Sequence, residues 1–236
     1  GGVGELCEFE KMEDAIYRND EGEIRVGECY EGPGSHWLPR LGPSCLSRQS
    51  YARTALIEGL RQEEKIGVNP FKFGISASTD THNAIGGAVS EDNFPGHLGK
   101  SDAEITDRLT LESGKTGGLS TNPGGLIGVW AEENTRNAIF DAMQRREVFG
   151  TSGPRMKVRL FGSWDFDEKL CGNSENLTIA YATGVPMGQD MPSKTGNTPS
   201  FLVQAQADSG GLDVAPGNHL QRVQIIKGWI GDDGNH

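Results

Sequence analysis

The spacing of the apolar residues changes near Thr151–Pro154, and this change limits the possible folds more than any other feature. Before that point, runs with helical spacing alternate with short strand-like runs, a pattern typical of α/β domains. After it, strand-like runs separated by Gly, Pro, Asn and Asp turns continue, and no helical pattern returns. The sequence therefore predicts an α/β region over residues 1–153 and an all-β, sandwich-like region over residues 154–236.

The individual elements can be placed from the same patterns. One helix is predicted over Ser47–Ile66, with Gly67 as its stop signal, and a second over Asn134–Arg146, capped by Asn134 or Thr135. The predicted strands are Phe71–Ala77 and Leu126–Ala131 in the first region, and Met156–Phe161, Leu177–Tyr181, Phe201–Ala207 and Leu220–Ile230 in the second.

Charge and hydropathy exclude two classes of partner. The chain has 33 acidic and 22 basic residues, a net charge of −11 with histidine neutral. Such a surface repels a phosphate backbone, so nucleic-acid binding is not expected. No apolar run approaches the roughly 18 residues of a spanning helix, so no membrane span is predicted. The 34 glycines indicate a chain rich in loops.

The four cysteines show no metal-binding spacing, because no C-x-x-C pair occurs. Cys29 and Cys45 flank a stretch rich in Gly and Pro, where a disulfide would close a loop and contribute about 3 kcal/mol. On this interpretation Cys7 and Cys171 stay unpaired. Four free thiols are the alternative.

The strongest candidate site is the sequence Ser78-Thr79-Asp80-Thr81-His82-Asn83, directly after the predicted strand Phe71–Ala77. Catalytic side chains of α/β folds collect at the carboxyl ends of strands. On an extended segment Asp80 and His82 would point the same way. Together they would form half of a site for Zn²⁺, Mn²⁺ or Fe²⁺. In the alternative interpretation, the segment is a turn in which Asp80 caps the segment that follows and His82 is merely solvated.

Two further residues are candidate third metal ligands. His97 lies in the loop that follows the D-x-H motif, and Glu132 follows the predicted strand Leu126–Ala131. Each has a simpler explanation. His97 would be a histidine in a surface loop, and Glu132 would interact favourably with the positive amino-terminal end of the next helix.

Motifs in order along nearly the whole chain resemble a bacterial family of PHP-like (polymerase and histidinol phosphatase) proteins, the domain of unknown function 3604 family. The stretches that carry the resemblance are Glu5–Glu10, Asn69–Gly74, Ser78–Asn83, Val129–Arg136, Thr151–Arg155, Gly184–Gly188 and Gln224–Trp229.

The resemblance implies a distorted β/α barrel with two or three metal ions at the carboxyl ends of its strands. The last metal motif of such proteins is a D-x-H, which corresponds to Asp80 and His82. Their first motif is an H-x-H, and this sequence has none. The resemblance therefore implies that residues 1–153 are the closing part of a barrel, whose amino-terminal half would be a required partner.

The function implied is the carboxy-terminal portion of a metal-dependent hydrolase. A metal-activated water would cleave a phosphoester, ester or amide in a small-molecule or glycan-like substrate, with Asp80 and His82 in the catalytic site. The chain alone would be inactive. A non-catalytic binding or structural protein built on a decayed barrel is the alternative. The resemblance favours a periplasmic or secreted location and leaves a cytoplasmic one open.

Overall fold

The structure is a computed structural model. It describes residues 52–85, 95–97, 103–104, 106, 125–193, 196, 198–210, 217 and 219–231, and the backbone of three short strands at 16–18, 24–26 and 45–46. The chain divides into two compact units. One comprises residues 1–72 and 225–236, and the other residues 73–224.

The first unit contains a small antiparallel sheet and one long helix. The sheet has the order β2-β1-β3, formed by β1 (Ile16–Arg18), β2 (Ile24–Val26) and β3 (Cys45–Leu46). Helix α1 spans Ala52–Ile66. The predicted stop is confirmed, because Gly67 adopts a φ of 74° and its N–H donates to the Glu63 carbonyl at 2.8 Å.

The proposed disulfide lies outside the described residues, since they do not include Cys29. Cys171 lies within them and is a free, exposed thiol.

The second unit begins with a strand, a helix and a strand. Strand β4 spans Leu126–Val129, helix α2 Arg136–Gln144 and strand β5 Val148–Thr151. Of the two predicted caps, Thr135 is the N-cap of α2, and its Oγ1 accepts a hydrogen bond from the Ala138 N–H at 3.3 Å. The sequence therefore located this strand and this helix correctly.

The predicted β/α barrel is nevertheless wrong. In a barrel of that kind β4 and β5 would run parallel, whereas they pair antiparallel, with Leu126 opposite Thr151 and Val129 opposite Val148. The ladder continues past the strands, because the Trp130 N–H donates to the Glu147 carbonyl at 3.0 Å. Helix α2 is thus an insertion in the turn of a β-hairpin. All strand pairs among the described residues are antiparallel and form three small sheets.

The predicted strand Phe71–Ala77 forms no ladder and runs without regular structure alongside β5. Two glycines of the hairpin region make room for it. A Cβ built on Gly150 would lie 3.0 Å from the Ala77 Cβ, and one on Gly125 would lie closer still. In the middle of the segment, Gly74 lies against Val148 of β5. The segment therefore runs in the same direction as β5, toward the end of the hairpin where β4 begins.

The main core of this unit lies under a second antiparallel sheet of order β7-β6-β8. It is formed by β6 (Lys157–Ser163), β7 (Val185–Pro186) and β8 (Ser200–Gln206). Phe161 and Leu202 face each other across β6 and β8 and are buried. Leu170 and Ala180 complete the cluster.

The prediction of an all-β region over residues 154–236 is also wrong. The predicted strand Leu177–Tyr181 is part of helix α3 (Asn176–Thr183), preceded by a short 3-10 helix at Leu170–Gly172. Apolar residues at short spacing fit either a strand or a helix. Packing decided between them, because the helix covers the apolar sheet face and sets Tyr181 edge-on to Phe161 with 4.8 Å between ring centroids. The predicted strand Leu220–Ile230 has no regular structure.

Several contacts join the β4–β5 hairpin to the β6–β8 sheet. The Trp130 Nε1–H donates to the Val158 carbonyl at 2.9 Å, and the Arg146 Nε–H donates to the Gly188 carbonyl at 2.6 Å.

The predicted division into folding units at residues 153 and 154 stays a prediction. No helix within the described residues is long and apolar enough to cross a membrane.

Candidate functional site

The D-x-H segment folds as a tight turn. The Thr81 N–H donates to the Thr79 Oγ1 at 3.3 Å, and the two threonine hydroxyls lie 3.1 Å apart. Between them Asp80 has a φ of 52°, a left-handed conformation that aspartate tolerates better than most residues. The extended geometry that would point Asp80 and His82 the same way is therefore absent, and the turn of the alternative interpretation is present.

The turn is fastened to the segment that carries His97. The His82 N–H donates to the His97 carbonyl at 2.8 Å, and the Asn83 Nδ2 donates to the Gly96 carbonyl, also at 2.8 Å. These two bonds bring together residues that are 13 to 15 positions apart in the chain. The predicted proximity of His97 to the D-x-H motif is therefore present in the structure.

The two imidazole rings lie side by side. Their centroids are 4.7 Å apart, and their planes are tilted by 59°. When two histidines share a zinc ion, each through a nitrogen at about 2.0–2.1 Å, their ring centres lie roughly 5 Å apart. His82 is exposed and His97 half-buried, so solvent reaches the pair. The spacing of the pair fits a shared divalent ion.

The structure does not bring Glu132 to this pair. The segment that leads to Asp80 ends beside Gly125, just before β4, whereas Glu132 follows the other end of that strand. The length of β4, roughly 13 Å, separates the two ends. The predicted convergence assumed parallel strands, whose carboxyl ends meet at one edge. In an antiparallel pair they lie at opposite edges.

The immediate surroundings of Glu132 suit its simpler interpretation. Glu132 and Glu133 are exposed just before the first turn of α2, and Glu133 accepts a hydrogen bond from Thr135 Oγ1 at 3.0 Å. Carboxylates near the amino-terminal end of a helix are stabilised by the positive end of the helix dipole. Across the described part of the chain, no three His, Cys, Asp or Glu side chains are grouped closely enough to hold a metal ion.

A second feature of the same unit is a stacked arginine. The Arg159 guanidinium carbon lies 3.6 Å from the centroid of the Trp130 ring and 5.8 Å from that of Tyr181. The Tyr181 hydroxyl donates to the Glu147 carboxylate, which is buried and lies 3.6 Å from Arg145. Burial and this bond to Glu147 raise the pKa of Tyr181 to about 12. Tyrosine therefore stays neutral here at physiological pH.

A groove of about 660 Å³ opens beside the stacked pair. Trp130 and the end of the β6–β8 sheet line it, and Leu177 of α3 contributes from the side. The volume lies within the range of small-molecule sites. The sequence analysis missed this groove, although residues 157 and 159 are both basic and alternate along a predicted strand, which places them on one face.

Comparison with known families adds one finding. The profile of a family described as "Protein of unknown function (DUF3604)" matches residues 39–236. The chain belongs to the DUF3604 family. Neither a search of curated proteins nor a search of solved structures found a match.

The DUF3604 match includes both features described above. The histidine pair, the stacked arginine and the groove all lie within residues 39–236. The resemblance to this family is therefore confirmed at the level of the family. The description of the family assigns no activity.

Proposed function

We propose that this chain contributes the ligands His82 and His97, together with Asp80, to the divalent-metal site of a hydrolase with PHP-like ligand chemistry. The observation that carries the proposal is the histidine pair, whose 4.7 Å ring separation fits a shared ion. The D-x-H motif supports it from the sequence side, because a carboxylate and an imidazole are ligands for Zn²⁺, Mn²⁺ and Fe²⁺ alike.

Two hydrogen bonds explain how the two segments would hold such a site. The backbone bond from the His82 N–H to the His97 carbonyl and the bond from the Asn83 side-chain Nδ2 to the Gly96 carbonyl keep the segments together without using either imidazole ring. A site held in this way loses less conformational entropy when an ion binds. His82 and His97 would ligate through a ring nitrogen, and the other nitrogen would be available to a hydrogen-bond acceptor.

The chemistry proposed for the site is hydrolysis of a phosphoester, an ester or an amide. When bound, a divalent ion lowers the pKa of a coordinated water and polarises the bond to be cleaved. Asp80 is exposed on the same turn as His82 but is not grouped with the two rings, so it would orient the water, or reach the ion as a third ligand after a change in the turn. A stable site needs three or four ligands, so the proposal requires Asp80 or another residue beside the two histidines.

Zinc affinity of the full chain, measured by competition with a chromogenic chelator, tests the proposal. We expect H82A and H97A each to weaken Zn²⁺ binding at least roughly tenfold, since even the loss of a residue that only supports a ligand costs that much. D80A should weaken it as well. His219→Ala removes an exposed histidine elsewhere in the chain and serves as the matched control.

Two results would count against the proposal. If H82A and H97A bind Zn²⁺ as tightly as the parent chain, the histidine pair is not a metal site. If metal binds at the pair but no phosphoester, ester or amide is cleaved by the protein with its natural partners, the alternative of a non-catalytic protein is favoured instead.

A further inference from the structure

The guanidinium of Arg159, in the groove beside Trp130, pairs with no carboxylate among the described residues. Arg159 is half-buried, and its guanidinium carbon lies 3.6 Å from the centroid of the indole ring, an arrangement in which the N–H groups at the edge of the guanidinium can still donate. Among the described residues, no side-chain or backbone oxygen accepts a hydrogen bond from it or pairs with it. A partly desolvated guanidinium in this state favours an oxyanion with two oxygens that can accept two parallel N–H bonds.

The pairing of β6 with β8 places further polar groups beside Arg159. Lys157 lies opposite Gln206, and Arg159 lies opposite Gln204, so these four side chains share one face of the sheet. Gln204 is held in position, because its Nε2 donates to Asn176 Oδ1 at 3.0 Å. All four residues line the groove.

The charge of the groove is opposite to that of the whole chain. The chain carries a net charge of −11, yet the described residues that line the groove include two cations and no carboxylate. One face of the indole is already covered by Arg159, so stacking of a neutral sugar on that face of Trp130 is disfavoured. The glutamine amides provide donors and acceptors suited to hydroxyl groups.

We propose that this groove binds a small organic oxyanion that also bears hydroxyl groups, with Arg159 and Lys157 on the anionic group and Gln206 on the hydroxyls. The anionic group is a carboxylate, a phosphate or a sulfate, which share this chemistry. The site is independent of the proposed metal centre and can be tested with metal removed.

The test measures binding to the full chain by calorimetry, with a chelator present and at low salt. The probes are glucuronate, glucose 6-phosphate and glucose 6-sulfate, and neutral glucose is compared with them. We expect at least one anionic probe to bind at least roughly tenfold more tightly than glucose, and its affinity to fall as salt is added. Which of the three binds identifies the anionic group.

Lys157 and Gln206 are exposed, so substitutions at these positions should leave the fold intact. We expect K157Q and Gln206→Glu to weaken binding of the anionic probe by roughly tenfold each, because one removes a cation and the other adds a repelling carboxylate. Lys169→Gln makes the same chemical change at an exposed lysine outside the groove and should leave the affinity unchanged. The proposal is overturned if no anionic probe binds, if glucose binds equally well, or if K157Q and Gln206→Glu bind the probe like the parent chain.

Discussion

At the scale of single residues, buried polar groups connect the hairpin to the second sheet. Glu147 is 4 % exposed, and its carboxylate accepts the Tyr181 hydroxyl while Arg145 lies 3.6 Å away. A buried carboxylate costs free energy unless it is paired and hydrogen-bonded. Tyr181 also lies edge-on to Phe161, so one side chain contacts both the core and the buried carboxylate.

The raised pKa of Tyr181 predicts a loss of stability in alkali. The folded protein holds this proton more tightly than the unfolded chain, whose tyrosines titrate near 10. The resulting stabilisation is complete below pH 10 and is lost as the pH rises through about 12. We expect Tyr181→Phe to remove this part of the pH dependence of the free energy of unfolding, measured by urea denaturation at several pH values.

At neutral pH the same substitution should lower the free energy of unfolding by about 1 kcal/mol, because Glu147 loses a donor. Tyrosinate absorbance gives an independent check. The difference between the titrations of the parent and Tyr181→Phe should have its midpoint near pH 12. A midpoint near 10 would show that the Tyr181 hydroxyl does not bond to Glu147.

At the scale of elements, glycines decide how the segment before the D-x-H turn packs. Gly125 and Gly150 leave space where the Ala77 side chain lies, at the open end of the β4–β5 hairpin. Within the hairpin, Phe149 covers Gly128, which is directly opposite it. The small residues therefore have a packing role that periodicity alone does not reveal.

Adding a methyl group at Gly125 should loosen this packing. A Cβ there would lie 2.4 Å from the Ala77 Cβ and 2.5 Å from the Thr151 carbonyl oxygen. We expect Gly125→Ala to lower the free energy of unfolding by about 1–3 kcal/mol, the usual cost of overpacking. Gly172→Ala is the matched control, because nothing lies within 4 Å of its Cβ position, and it should change stability by less than about 0.5 kcal/mol. Equal stability of both variants in urea would show that Ala77 does not pack there.

At the scale of the whole molecule, the hairpin and the second sheet belong to one compact unit, residues 73–224. Among the described residues, Trp130 and Arg159 join the hairpin to the sheet, while Arg146 bonds to the segment after β7 and Glu147 bonds to Tyr181 of α3. Charged and aromatic contacts of this kind couple the stability of the two sheets.

We therefore expect β5 and β6 to unfold together. Native-state hydrogen exchange, followed by mass spectrometry at increasing denaturant, should give the same opening free energy for peptides from both strands. A folding boundary at residues 153 and 154 predicts a different result, in which β6 and β8 stay protected while β4 and β5 exchange. The experiment thus decides between one cooperative unit and two.

The sequence by itself determined the local features of this protein. The stop of α1 at Gly67, a cap of α2 at Asn134 or Thr135 and the strands β4, β6 and β8 were all predicted, because their signals lie within a few residues of the element. The family, too, was recognised from ordered motifs, and the profile match confirms it.

Only the tertiary structure decided how these elements combine. A strand–helix–strand pattern is the same whether the strands run parallel or antiparallel, so the antiparallel pairing of β4 with β5 could not be predicted, and the barrel expectation failed with it. Helix α3 forms where a strand was predicted because its apolar face covers Phe161 and Leu202. The same holds for the candidate sites, where contacts between residues distant in sequence place His82 beside His97 and Arg159 on Trp130. The periodicity of a sequence shows which side of a helix or strand is apolar. Which other element that side packs against depends on the free energy of the whole fold.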